Sequence, residues 1–502
     1  MKRKLPTCVV TMLLAALVLP SLVYAQKTPR YRVIDLGTFG GPASYLQNGF
    51  DGILNNHGTL AGFSNTSVPD PFCFVPNCVA THAFRLKNGK LKDLGTLPGG
   101  DVSQAVWTSE TGLIAGMSQN GEIDPLVPGF AEVRAVLWRN GKITDLGTLP
   151  QGGFESLAGA VNNRGQVVGA AVTTIPDPCS LFGGFPQTRA FLWQDGAMED
   201  LGTLGGPDAL AELINDRGQV AGASYTSEIN PATTCPELHP FLWHNSSMVD
   251  LGTLGGTFAD VRGMNQRGQV VGFSNLAGDL ISHPFLWTSG HLIDLGTLGG
   301  DTGLTNWIND RVDIVGKADL PGPSPQLHDA VLWRNGKTID LGVLPGDSCS
   351  NAYFVNAHGQ IVGTSENQEA CLIPVGQHAV LWEHSGRMVD LNTLIPPGAS
   401  LDLTLAFAIN DRGEIAGIGV PPGCAPQDYE LCGHAYMLIP CEHDDECTNI
   451  ALDTTSFAST VSSNSGQKAD DPSGRTAVFP KRRQNRLRLE TLSPVERALA
   501  PN

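Results

Sequence analysis

The sequence predicts an all-β protein, a β-propeller of eight four-stranded blades whose N-terminal strand closes the last blade. Three observations predict it. One phrase recurs eight times, spelled most fully by Ala190-Phe-Leu-Trp193, Asp200-Leu-Gly-Thr-Leu-Gly-Gly206 and Leu213-Ile-Asn-Asp-Arg-Gly-Gln-Val-Ala-Gly222. Its Asp falls at Asp35, Asp93, Asp145, Asp200, Asp250, Asp294, Asp340 and Asp390, so copies follow one another without a linker; the period suits one supersecondary unit per copy. Finally, the array enters at Tyr31-Arg-Val-Ile-Asp-Leu-Gly37 with no Ala-Phe-Leu-Trp strand before it, and leaves at His434-Ala-Tyr-Met-Leu438 with no Asp-Leu-Gly strand after it. The two halves complement each other, and pairing them closes a ring without an exposed edge.

Each unit reads as two hairpins. The runs 209–214 and 219–224 are joined by Asn215-Asp-Arg-Gly218, in which Asn favours the first turn position and Gly accepts the left-handed conformation. The Gly recurs at Gly58, Gly112, Gly165, Gly268, Gly359 and Gly413 and is broken only by Val312; the Asn recurs at Asn55, Asn162, Asn265, Asn309, Asn356 and Asn410, with Ser109 in its place in the second unit. The second hairpin joins Phe241-Leu-Trp243 to Met248-Val-Asp-Leu-Gly252, through turns that read Asn140-Gly141, Asp195-Gly196 or Asn335-Gly336 in other units. Ala-Phe-Leu-Trp shows no polar alternation, so both faces of that strand are expected to be buried, as between stacked blades.

Two side chains within the phrase have assigned roles. Trp138, Trp193, Trp243, Trp287, Trp333 and Trp382 share one strand position, with Leu86 and Leu438 in the terminal units; recurrence in each blade predicts packing between sheets. At the head of that strand stand His82, His239, His283, His378 and His434, Arg134 and Arg189, and a displaced His328-Asp329. A His or Arg beside each recurrent Asp predicts a repeated hydrogen bond tying the third and fourth strands.

Composition bounds the rest. The chain has 502 residues, 41% of them apolar and 16% charged, with 59 Gly. Its net charge of −17 argues against nucleic acid and anionic membranes as partners. Met1-Lys-Arg-Lys, an apolar stretch over 9–23 and Val23-Tyr-Ala25 read as a signal peptide, residues 1–25, cut after Ala25. This predicts a secreted, extracellular or periplasmic protein with no transmembrane span after cleavage. Of 11 cysteines ten remain, and the expected pairs are Cys73 with Cys78, Cys179 with Cys235, Cys349 with Cys371, Cys424 with Cys432 and Cys441 with Cys447. Residues 31–440 form the repeat domain, and 441–502 a flexible tail that ends in a basic stretch, Lys481-Arg-Arg-Gln-Asn-Arg-Leu-Arg-Leu489.

Candidate chemistry is sparse. Asn215-Asp-Arg-Gly218 lacks the spacing and the distal Glu of a calcium loop, no cysteine pair has zinc-type spacing, and no nucleophile-elbow, zincin, phosphate-loop or dinucleotide motif occurs. No metal and no cofactor are expected. The turns share one face of the ring; the connections after Thr-Leu-Gly-Gly and the variable loops share the other, where a recognition surface is expected. On that loop face Asp101, Asp208, Asp301 and Asp347 are the candidate ligand-binding residues, as an acidic rim for a cation or basic ligand, or else each serves its own turn.

His-Ala-Phe combined with Asp-Leu-Gly-Thr-Leu-Gly-Gly, over 31–440, resembles the HAF-repeat family of extracellular bacterial repeat proteins. The resemblance implies export and repetition and brings no substrate or catalytic residue. The expected function is a secreted binding or scaffold protein, a monomer recognising a glycan or a cell-surface protein through its loop face. The competing readings are a hydrolase or lyase with a loop-built acidic site, which calls for one unsymmetrical cluster of carboxyls or a His in a pocket, and a structural array without a specific ligand.

Overall fold

The repeated phrase folds into eight antiparallel sheets whose strand order follows the chain, at 40–93, 103–145, 156–200, 205–250, 255–294, 303–340 and 349–390 for the first seven. The eighth comprises three strands within 402–441 and is completed at its outer edge by the N-terminal strand Arg30–Asp35, paired antiparallel with His434–Cys441 from Arg30 opposite Cys441 to Asp35 opposite Tyr436. Blades four and five touch through one parallel pair, Leu238 and Phe258, so their strands form a continuous sheet of eight. This computed structural model describes residues 30–441 apart from 48–51, 73–77, 127–128, 151, 183–185, 323–326, 368–370, 372–376 and 384–385, together with residue 447. The expected leader and most of the expected tail lie outside the described residues.

From the second blade to the eighth, first strands of adjacent blades touch one another, which places them at the axis, whereas the fourth strands of blades four, five and six are largely exposed. From the second blade to the eighth the first strand carries a bulge, leaving Val106, Gly159, Glu212, Arg262, Asn306, Tyr353 and Phe407 as the extra residues. A bulge bends the strand and re-aims its side chains.

Eight apolar clusters among the described residues fill the gaps between blades, one in each gap. The recurrent Trp enters the gap with the preceding blade, as Trp138 does against Leu94 and Leu97, and Trp333 against Leu295 and Leu298. Burying the roughly 150–250 Å² of such a side chain contributes on the order of 4–6 kcal/mol. The indole Nε1 of Trp138 donates to the carbonyl of Leu94, and that of Trp382 to Leu341, the Leu of the preceding Asp-Leu-Gly phrase.

The turn Asn has two functions. Its Oδ1 accepts from the N–H groups two and four residues on, which shapes the turn, as at Asn215 with Arg217 and Gln219. Its Nδ2 reaches the next blade and donates to the main-chain carbonyl of the equivalent residue: Asn55 to Ser109, Asn162 to Asn215, Asn215 to Asn265, Asn265 to Asn309, Asn309 to Asn356, Asn356 to Asn410, and Asn410 to Asn55. Alongside it, carboxylates and amides at the following position take the next turn's part, with Asp216 accepting from both N–H groups of Asn163 and Asp411 from the N–H of Ala357. The Asp216 carboxylate is therefore engaged in holding blades together.

The expected strand tie is present in five blades, as His82 with Asp93, Arg189 with Asp200, His239 with Asp250, His283 with Asp294 and His434 with Asp35, at 2.8 to 3.0 Å. The same Asp also accepts from the N–H two residues on in every copy, from Gly37 to Asn392.

Candidate functional site: the loop face of blades six to eight

The three blades without that tie are two, six and seven. In blade two Arg134 donates instead to the carbonyl of Phe154 and to Glu132. In blade six His328 stands one residue early, and Asp329 occupies the donor position opposite Asp340. Two carboxyls then meet where an ion pair stands elsewhere. Burial, and then the charge of Asp340, push the Asp329 carboxyl up to about 7.

Displacement moves His328 toward blade seven. Its ring nitrogen and the sulfurs of Cys349 and Cys371 lie within 4.8 Å of one another. Burial, and then nearby Lys317, push the imidazole down to about 2, so it is neutral at any ordinary pH. The two sulfurs are joined in a disulfide and offer no thiolate. Beyond Lys317, burial raises the Glu366 carboxyl against the opposing Lys317 charge.

In blade seven Asn392 replaces the Gly of Asp-Leu-Gly. Asp390 accepts from both the backbone and the side-chain amide of Asn392, and His378 turns away to Asp347, with Nδ1 3.1 Å from the carboxylate. Asp347 is nearly buried there at 4% side-chain exposure while His378 keeps 38%. Next to it, burial raises the Asp402 carboxyl, opposed by His378 and assisted by Asp390. Asp402 lines an open groove of about 660 Å³ between the connection 392–401 and the segment 420–426. Its walls carry Pro396, Pro397, Pro421, Pro422 and Pro426, and the Cys424–Cys432 disulfide braces one side. Proline walls are stiff. A His fixed by one carboxylate beside a second whose carboxyl is raised by burial suits proton holding or pairing with a cationic group.

Of the four expected rim residues, two are taken up by neighbours of their own. Asp208 is fully buried, and its carboxylate accepts from the N–H groups of Leu181 and Thr188 at 2.8 and 2.9 Å. Burial, softened by those two bonds and reinforced by Asp177, pushes it up to about 7. Asp347 is occupied by His378. Asp101 and Asp301 are more open, and each has its own acidic neighbour, Asp70 and Asp319 respectively. Asp208 thus serves loop backbone, and Asp347 holds a histidine.

Of the expected disulfides, Cys179–Cys235, Cys349–Cys371, Cys424–Cys432 and Cys441–Cys447 are formed; Cys73 lies outside the described residues. Cys179–Cys235 links the loops of blades three and four, where Tyr225 also donates to the carbonyl of Cys179.

Reasoning from the repeat overlooked the channel. Trp107 and Trp307, the two tryptophans outside the recurrent position, sit on the innermost strands of opposite blades with ring centroids 6.5 Å apart, and Trp307 stacks on Phe354 at 4.6 Å. Aromatic rings thus meet across the axis. Their departure from the repeat was the available signal.

No family model matches the sequence, and no curated protein matches it. Similar folds occur in solved structures. An acylaminoacyl peptidase of Pyrococcus horikoshii is 8% identical over 78% of this chain and 58% of its own, with a TM-score of 0.41. A puromycin-hydrolyzing peptidase of Mycobacterium tuberculosis is 13% identical over 78% of this chain and 62% of its own, with a TM-score of 0.39. This chain therefore spans about three fifths of the length of those two peptidases. The β-propeller domain of the Trilobed protease from Pyrococcus furiosus is 7% identical over 72% of this chain and 95% of its own, also with a TM-score of 0.39. Such likeness extends to the fold class alone. No helix among the described residues is long and apolar enough to cross a membrane.

Proposed function

We propose that this protein is an exported propeller scaffold, related to the HAF-repeat proteins, that binds another protein through its loop face. One observation carries the reading. Exposed large aliphatic side chains among the described residues fall on the outermost strands or at the loop end, and the loop end bears Ile123 and Leu126, Ile175, Ile229, Leu280 and Ile281, Leu327 and Leu431, from six different blades. Leu280 is 93% exposed. Apolar side chains held out by a rigid, disulfide-braced surface suit a protein partner. The groove supports the same choice over a glycan, since proline and aliphatic groups line it and no aromatic ring for sugar stacking does. The disulfides fit an oxidising compartment.

The test is a binding screen of the mature protein against surface proteins, glycans and cell-wall polymers, repeated with an Ile175→Asp, Ile229→Asp, Leu280→Asp variant. Retention of a protein ligand by the wild type and its loss in the variant support the proposal. Selective glycan binding that the variant keeps overturns it. A second reading, an extracellular hydrolase, draws on Asp347, His378 and Asp402 beside the groove. Product formed from a retained ligand, and abolished in Asp402→Asn, would favour it.

A further inference from the structure

The gap between blades eight and one is built differently from the six that receive an indole. In the first blade the recurrent Trp position is held by Leu86, opposite Leu60 as Trp138 is opposite Ile114. The gap between blades seven and eight also lacks the indole, at Leu438, but there the buried rings of Tyr31 and Tyr436 fill the space. Beside Leu86 a partly enclosed cavity of about 310 Å³ remains, lined by the apolar groups of Ile34, Leu86 and Ile439 and by Arg32, Arg412 and Glu414. It opens at the turn face, away from the loop-face groove. Its volume lies at the small end of natural ligand sites, about 300–1,000 Å³.

The charges in it do not cancel. Arg412 donates to Glu414 at 2.6 Å, and Glu414 also accepts from Asn410. Arg32 contributes a second guanidinium whose Nε is buried with no hydrogen-bond partner, and which forms no ion pair among the described residues. A buried donor of this kind is costly to leave unpaired, and a carboxylate answers the fork of a guanidinium on two nitrogens at once.

We propose that this cavity is a binding site for a small organic carboxylate with a flat or branched apolar body. The body takes the place of the indole that the blade lacks, and the carboxylate pairs with Arg32. The site is independent of whatever the loop face binds.

Isothermal titration calorimetry tests it, with indole-3-propionate as the anionic probe and 3-methylindole as its neutral counterpart. Wild-type protein should bind indole-3-propionate at one site and at least tenfold more tightly than 3-methylindole. Leu86→Trp should abolish binding of both probes while raising the melting temperature. Arg32→Gln, at a partly exposed position that leaves the apolar wall intact, should bring the anion down to the affinity of the neutral probe. Failure of the wild type to bind either probe overturns the proposal, as does anion binding that neither substitution weakens.

Discussion

The side-chain amide of Asn410 donates to the main-chain carbonyl of Asn55 across 3.0 Å and 355 residues of sequence. It joins a row of five similar bonds, from Asn162 to Asn410, to a sixth between Asn55 and Ser109, and makes a nearly complete ring. The ring is open only between blades two and three, where Ser109 is too short to reach the carbonyl of Asn162. Asn410→Ala removes a buried donor and strands an acceptor, and should destabilise the protein by about 1–3 kcal/mol. Ser109→Asn should add the missing bond and stabilise by about 0.5–1.5 kcal/mol. Urea unfolding midpoints of the two variants against wild type measure both; a stabilised Asn410→Ala would show the ring to be incidental.

Val312 takes the place of the turn Gly in blade six and adopts its conformation, with φ at +65°. A β-branched residue in the left-handed region carries a penalty of about 1–2 kcal/mol. Part of that is returned because Val312 packs against the neighbouring apolar cluster. Val312→Gly should therefore gain about 1 kcal/mol at most, seen as a higher melting temperature. A lower one would mean that the packing outweighs the strain.

Two recurrent tryptophans should respond differently to the same change. Trp382 donates its Nε1–H to Leu341, whereas the buried Nε1 of Trp333 has no hydrogen-bond partner. Replacement by Phe costs both sites some packing, but only Trp382→Phe also strands a carbonyl. It should be the more destabilising by about 1–3 kcal/mol, as read from chemical denaturation. Equal losses would show that the indole bond contributes little beside ring packing.

The Asp329–Asp340 pair gives stability an unusual pH dependence. With its folded value raised to about 7, Asp329 favours the protonated form in the fold, whereas the unfolded chain ionises near the ordinary carboxylate range of about 4. Its stabilising contribution is fully present below the unfolded value and is lost as pH rises through the folded one. Asn in place of Asp329 cannot ionise and can donate to Asp340. The advantage of Asp329→Asn over wild type should thus grow from pH 4 to pH 8 in denaturation curves; a constant difference would show that the pair does not share a proton.

The architecture was legible because the phrase occurs eight times and each of its turn and strand signals in six or more copies, so one ambiguous copy such as that around Val312 could be read from the others. Hydrogen bonds within a unit were legible for the same reason, His239 with Asp250 being 11 residues apart. Bonds between units were not. The acceptor of the Asn215 amide is a main-chain carbonyl 50 residues away, and no residue type marks a carbonyl. The candidate site was half visible: the shift of His328 and the substitution of Asn392 for Gly stand in the sequence as breaks in the phrase. Their outcome depends on which carboxylate lies nearest across a blade boundary, and His378 choosing Asp347 over Asp390 is a fact of three dimensions.

Arg30–Asp35 leaves the ribosome before any of its partners and finds them only when His434–Cys441 has been made. Contacts of such sequence separation form slowly, because the entropy of closing the loop must be overcome before the pairing rewards it. The last blade cannot be finished by local folding, while the seven before it can. Ring closure is therefore a late event that reports on completion of the eighth blade. A circular permutant that makes these two strands neighbours, with new ends in an outer turn of another blade, should refold faster while keeping the same propeller.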